Sequence, residues 1–205
     1  MAGKMRDHVL IVALTLLASL PFMAACGHPP PSYPYEKEPN PLREEYVIGV
    51  SDDVQIGVYK HDEFNTGQRV RPDGVVTMPL IGDVQAAGLT PSQLEGAVKD
   101  KLKAFVKGDA VVTVAVTGIN SYHVVVTGRV STPGRFEAAS YMTVMEAISL
   151  AGGPTPFASP AEVFVLRRSP DGKVKKIPFN YSQVIRGEYL QQNIYLMRGD
   201  QVVVP

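Results

Sequence analysis

The chain has 205 residues, 20 of them basic and 20 acidic, for a formal net charge of zero. With no basic stripe interleaved by aromatic side chains, the composition gives no nucleic-acid footprint. The single cysteine excludes an intramolecular disulfide. The four histidines, His8, His28, His61 and His123, stand apart at spacings that build no zinc or metal-hydrolase site.

Lys4 and Arg6 precede an apolar run from Val9 to Leu20, about a dozen residues, the length of a signal-peptide h-region. A spanning helix needs ~20 apolar residues; extension to Ala25 approaches that length, but Pro21 interrupts it. The reading is a signal peptide over residues 1–25, with an uncleaved membrane anchor as the alternative and Met5 as an alternative start. The run ends in Met23, Ala24, Ala25, Cys26 and Gly27. This resembles the bacterial lipobox, in which small residues precede a cysteine that is lipidated and becomes the N-terminus, although Leu is usual where Met23 stands. Cys26 is therefore the expected lipidation site; the other reading is a bystander thiol, a liability in an oxidising compartment. Several alkyl chains on one residue anchor stably, at ~0.8 kcal/mol per buried CH₂. By the same resemblance, Gly27 rather than Asp after the cysteine implies transport to the outer membrane.

Residues 26–45 read as lipid anchor and tether. Six prolines fall among polar and charged residues in 27–45, a composition that buries too little apolar surface to fold alone. At ~3.1 Å per residue such a segment reaches at most roughly 60 Å. A tail packed on the domain surface through Tyr33 and Tyr35 is the alternative.

The remainder reads as α+β: two small β-rich domains, 46–118 and 122–205, each with a short helix. In the first, Tyr46–Val50 and Val54–Tyr59 have strand composition, and Arg71, Pro72, Asp73 and Gly74 form a turn ahead of a short strand over Val75–Met78. Thr90 caps a helix, with Pro91 at its first position and Gln93 completing a capping box. Leu94, Val98, Leu102 and Phe105 share one face, and Gly108 is placed to end the helix. Val111–Val116 is a strand. In the second domain, His123–Gly128 is a strand and Ser131–Gly134 a turn. Thr143 and Glu146 form a second capping box, leading to a stop at Gly152 and Gly153. Val163–Arg167 and Lys173–Ile177 form a hairpin across Ser169–Gly172. Ile194–Leu196 and Gln201–Val204 are strands around the turn Arg198, Gly199, Asp200, which reads as turn chemistry rather than an adhesion tripeptide.

Catalytic chemistry has little to stand on. There is no G-x-S-x-G elbow, no Walker loop and no cofactor motif. Asp52–Asp53 and Asp62–Glu63 are adjacent carboxylates, read as solvated turn residues, whereas acid/base work needs two carboxylates brought together with separated pKa values.

Tyr46 to Ile56 resembles the opening of the export domain of the outer-membrane polysaccharide export (OPX) family. The resemblance continues through Val70–Gly74, Met78–Gly82, Val84, Gly88–Thr90 and Leu94. The second domain resembles a soluble-ligand-binding β-grasp (SLBB) domain, through Val126–Val130, Pro133 and Gly134, Thr143–Ile148, Leu150–Gly153, Arg167 and Leu196–Pro205. Two positions depart from the pattern: Ser51 stands where Gly is usual and Asp53 where an apolar residue is usual. The chain also stops at Pro205, where members that span the outer membrane alone add further SLBB repeats and an amphipathic helix. The resemblance thus implies a short member without that helix, in the periplasm of a Gram-negative bacterium and lipid-anchored to its outer membrane. It implies a homo-oligomeric ring that conducts capsular polysaccharide or exopolysaccharide across the envelope, no cofactor, and no enzymatic step. The implied partners are the polysaccharide, an inner-membrane polysaccharide co-polymerase and a separate outer-membrane β-barrel. A monomeric periplasmic sugar- or ligand-binding lipoprotein is the alternative; an enzyme acting on the polysaccharide is a third reading.

Overall fold

The computed structural model describes residues 32–169 and 171–205. The first domain contains β1 (Asp53–Val58), β2 (Thr66–Arg69), β3 (Val75–Met78), β4 (Gly82–Gln85), α1 (Pro91–Leu102) and β5 (Val112–Gly118). In β1 the alternate residues Val54, Ile56 and Val58 are buried, because successive side chains of a strand point to opposite faces. β1 is the middle strand of an antiparallel sheet ordered β2-β1-β5, while β3 and β4 form a separate hairpin. α1 starts where its caps dictate: the Thr90 side chain accepts from the Gln93 amide and the Gln93 side chain accepts from the Thr90 amide, with Pro91 at the first position. Leu94, Val98 and Leu102 bury one face of α1 into the core they share with β1, β3, β4 and β5.

Two expectations for this domain are corrected. Phe105 does not lie on the buried helix face; α1 ends at Leu102, six residues short of Gly108, and Phe105 is 54% exposed. The chain must turn there to reach β5, and the amides of Phe105 and Val106 both bond back to the Leu102 carbonyl. Val106 then packs against the core in place of Phe105. Nor is Tyr46–Val50 a strand: Ile48 exchanges two backbone bonds with Gly88 and Leu89, and the chain then turns through Ser51 at φ +74°.

The second domain contains β6 (His123–Gly128), β7 (Gly134–Glu137), α2 (Val144–Leu150), β8 (Val163–Arg168), β9 (Val174–Phe179), α3 (Tyr181–Val184) and β10 (Gln201–Val204). The sheet is mixed, ordered β7-β6-β10-β8-β9, with β10 parallel to β6 and antiparallel to β8. α2 covers it, burying Val144, Ala147 and Ile148. Gly128 ends β6 at φ +94°, and a Cβ there would lie well inside 3.0 Å of the Val204 carbonyl, so β6 and β10 meet only around a glycine. Ile194–Leu196, expected as a strand, contributes only an isolated bridge between Tyr195 and Thr143. Its backbone bonds go elsewhere: the Ile194 carbonyl accepts from the Val144 amide at 3.2 Å and the Leu196 carbonyl from the Tyr122 hydroxyl at 3.0 Å, while the side chain of the preceding Asn193 accepts from the Met145 amide at 2.9 Å. The bonds from Val144 and Met145 satisfy orphan donors that every helix N-terminus carries.

The described part of the expected tether is not free. Tyr35 is 4% exposed and belongs to the second domain's core, and its hydroxyl donates to the Pro178 carbonyl at 2.8 Å. Tyr35–Lys37 and Pro41–Arg43 form single 3₁₀ turns. One buried aromatic ring and a buried carboxylate outweigh the polar composition that suggested a free chain. From residue 32 onward the described chain forms one compact unit around two hydrophobic cores. Among the described residues no helix is long and apolar enough to cross a membrane.

Candidate functional site

The two cores meet at a buried polar seam built around Asp52, whose side chain is 0% exposed. One carboxylate oxygen accepts from the amides of Asn120 and Ser121, each at 2.8 Å. The other accepts from the Tyr46 hydroxyl at 2.6 Å, the Gly49 amide at 2.7 Å and the Ser121 hydroxyl at 3.0 Å. Burial pushes the Asp52 pKa up, but these donors outweigh it and hold the carboxyl below its ordinary range. Burial and the bond to Asp52 push the Tyr46 hydroxyl up to about 12. The second domain reaches into the seam through Arg198, which donates to the Val47 carbonyl at 2.7 Å and to the Tyr46 hydroxyl at 3.3 Å. Gly49 makes this approach possible, since a Cβ there would fall well inside 3.0 Å of both Arg198 Nη1 and the Ser121 side chain.

A second buried cluster ties the N-terminal segment to the same turn. Arg167 Nε and Nη2 grip the Asp200 carboxylate at 2.6–3.1 Å. Arg167 Nη1 donates to Glu38 at 2.8 Å, and Nη2 also donates to the Tyr195 carbonyl at 2.9 Å. Lys175 and the Tyr33 hydroxyl complete the shell of Glu38. Burial raises the Asp200 pKa, with the Arg167 guanidinium working against it. Asp200 in turn accepts from the Met197 amide at 2.8 Å, closing the turn that carries Arg198. The turn reading of Arg198, Gly199 and Asp200 therefore has a second layer, for the aspartate is interior and ion-paired.

Cys26 lies outside the described residues. Of the adjacent carboxylates, Asp53, Asp62 and Glu63 are local partners of Arg69, Asn65 and His61. Asp52 is not the solvated turn residue expected but the centre of the seam. With five donors on its two oxygens it has no lone pair free to take a substrate proton. Among the described residues no group of three His, Cys, Asp or Glu stands close enough to hold a metal ion. Glu38 was hidden in a segment whose composition reads as solvated; its one sequence signal was the neighbouring Tyr33 and Tyr35.

This architecture is a pair of small α+β domains joined across a buried polar seam. Residues 40–117 match the family of polysaccharide biosynthesis/export proteins, and residues 124–178 match the SLBB domain. The chain therefore carries a polysaccharide biosynthesis/export domain followed by an SLBB domain. It is 27% identical over 112 residues to the polysialic acid transport protein KpsD of Escherichia coli, covering 55% of this chain and 20% of that protein. It is 26% identical over 162 residues to the exopolysaccharide production protein ExoF of Rhizobium meliloti (strain 1021), covering 74% of this chain and 36% of that protein. It thus matches well under half the length of either relative. The SLBB match ends at Pro178, yet β10, in the middle of the sheet, comes from 201–204.

Proposed function

We propose that this protein is a translocation component for capsular polysaccharide or exopolysaccharide, anchored in the periplasm to the outer membrane by lipid on Cys26. Copies associate head to tail into a closed ring, and the polymer passes through its lumen. The ring receives the polymer from an inner-membrane polysaccharide co-polymerase and hands it to a separate outer-membrane β-barrel. The reading contains no catalytic step. Residues 46–118 and 122–205 act as its two domains, with the connection between them held by Asp52 through the Asn120 and Ser121 amides. The observation that carries the proposal is the succession of the two family matches, export domain then SLBB domain, along one chain.

Deletion of the gene is the test. Surface polysaccharide should fall while polymer accumulates in the periplasm, and complementation should restore both. Undiminished surface polymer in the deletion strain would sink the reading. Intact mass of the membrane-extracted protein tests the anchor separately: residues 1–25 should be absent and Cys26 should carry a triacyl adduct. Native mass tests the ring, since a monomer in mild detergent would leave the sugar-binding lipoprotein as the better account.

A further inference from the structure

Beside the seam the surface is concave in two places that share one residue. A cleft of about 280 Å³ lies between the two domains, with Glu44, Val47, Tyr141 and Arg198 in its walls. A groove of about 520 Å³ runs along α2, with Tyr141, Met145, Ser149 and Leu150 in its walls. Together they reach the size at which proteins hold small organic ligands. Tyr141 is the saddle between them. Its ring is fixed edge-on against Tyr122 at 5.1 Å and tilted against Tyr46 at 6.3 Å, so its position is set before any ligand arrives.

The polar groups around that ring are short of partners. The Tyr141 hydroxyl and the Glu44 carboxylate have no hydrogen-bond partner among the described residues, and Arg198 Nε and Nη1 have none either. Arg198 is nonetheless held in place by the Val47 carbonyl and the Tyr46 hydroxyl. The site therefore offers a rigid aromatic face, a fixed guanidinium with unused donors, a carboxylate acceptor, and an apolar floor along α2. A pyranose ring presents the complementary set: a C–H face that packs on an aromatic ring, and hydroxyls that accept from a guanidinium and donate to a carboxylate. Opposite charges within one cleft suit an uncharged, hydroxyl-rich ligand, because Glu44 would repel a phosphate or a carboxylate brought in by Arg198.

We propose that these two adjoining concavities form one saccharide-binding site, with Tyr141 as its stacking platform and Arg198 and Glu44 as its hydroxyl-reading pair. The proposal rests on the export reading for the source of the sugar. Binding should be weak, since a conducted polymer must leave as readily as it enters.

The test is titration of the ¹⁵N-labelled protein with maltohexaose, cellohexaose and a galacturonate hexamer, followed by amide shifts. At least one neutral hexamer should move the amides of Tyr141, Met145, Ser149 and Arg198, with Kd on the order of 1 mM. Tyr141→Leu should weaken binding at least tenfold, and Glu44→Gln severalfold. Glu44 is exposed, so its variant carries the test if Tyr141→Leu does not fold. Silence with all three probes overturns the proposal, as do shifts mapping elsewhere, preference for the galacturonate, or a Kd indifferent to both substitutions. A silent titration beside export lost on gene deletion removes the site and leaves the export reading. Binding at Tyr141 in a strain whose export survives deletion does the reverse.

Discussion

Ser51 sits at φ +74°, in the left-handed region that costs an L-residue roughly 1–2 kcal/mol. The sequence showed that Ser51 departs from a pattern with glycine at this position. The reason glycine fits there is a backbone angle that only the fold reveals. Ser51→Gly should therefore raise stability by roughly 0.5–1 kcal/mol, net of the extra freedom glycine has in the unfolded chain. Calorimetry should show a midpoint about 2 °C higher; a lower midpoint would mean the serine side chain makes a compensating contact. Its neighbour Asp52 predicts an acid effect. The folded carboxyl titrates below its unfolded value of ~3.9, so its contribution is complete above that value and is lost as pH falls through the folded pKa. Asp52→Asn should cost roughly 2–3 kcal/mol at neutral pH and flatten the dependence of stability on pH below ~4. Denaturant titrations of both proteins at pH 7 and pH 3 measure this; a constant difference between them would assign the loss to packing rather than charge.

The elements most legible in the sequence were those defined by local chemistry. Both capping boxes fixed the starts of α1 and α2 because Thr90 with Gln93, and Thr143 with Glu146, need nothing beyond four residues to act. The end of α1 was not legible, because it is set by where β5 must begin. Ile194–Leu196 misled for a related reason: its β-rich composition is real, but its carbonyls accept from the start of α2, from Arg167 and from Tyr122 rather than from a neighbouring strand. The segment around Tyr35 was the largest departure, since its contacts lie more than a hundred residues away, at Arg167 and Pro178. Its docking makes a direct prediction. Lys37 and Arg43 are exposed sites for trypsin, yet the 3₁₀ turns and the buried Tyr35 ring hold the backbone between them. Removing a buried aromatic ring costs about 3–5 kcal/mol, and each ~1.4 kcal/mol is tenfold in the population of the open form. Tyr35→Ala should therefore speed cleavage at Lys37 and Arg43 at least tenfold, while the body from Tyr46 onward stays intact. Equal cleavage rates would show that the segment is free already.

At the scale of the whole molecule the order of motifs was legible, but the coupling between domains was not. Its agents are Gly49, Asp52, Ser121 and Arg198, no two adjacent in sequence, in a cluster that neither helical nor strand periodicity marks. Between the two cores lie the buried polar seam and the tilted contact of the Tyr46 and Tyr141 rings. A joint of buried, hydrogen-bonded charge is all-or-none: fully satisfied it is rigid, and partly satisfied it costs more than it returns. Gly49 is its weak point. Arg198 can swing its long side chain away from an added Cβ, but Ser121 is buried and bonded to Asp52 through both its amide and its hydroxyl. Gly49→Val therefore pushes Ser121 off and leaves the Asp52 carboxylate buried with donors missing, while touching neither core. In scanning calorimetry the wild type should unfold in one transition, and Gly49→Val in two, one for each core. Separation should be visible in ¹⁵N spectra at intermediate temperature as loss of signals from one domain with the other retained. A single transition at a lower midpoint would show that the cores are held together by contacts other than the Asp52 seam.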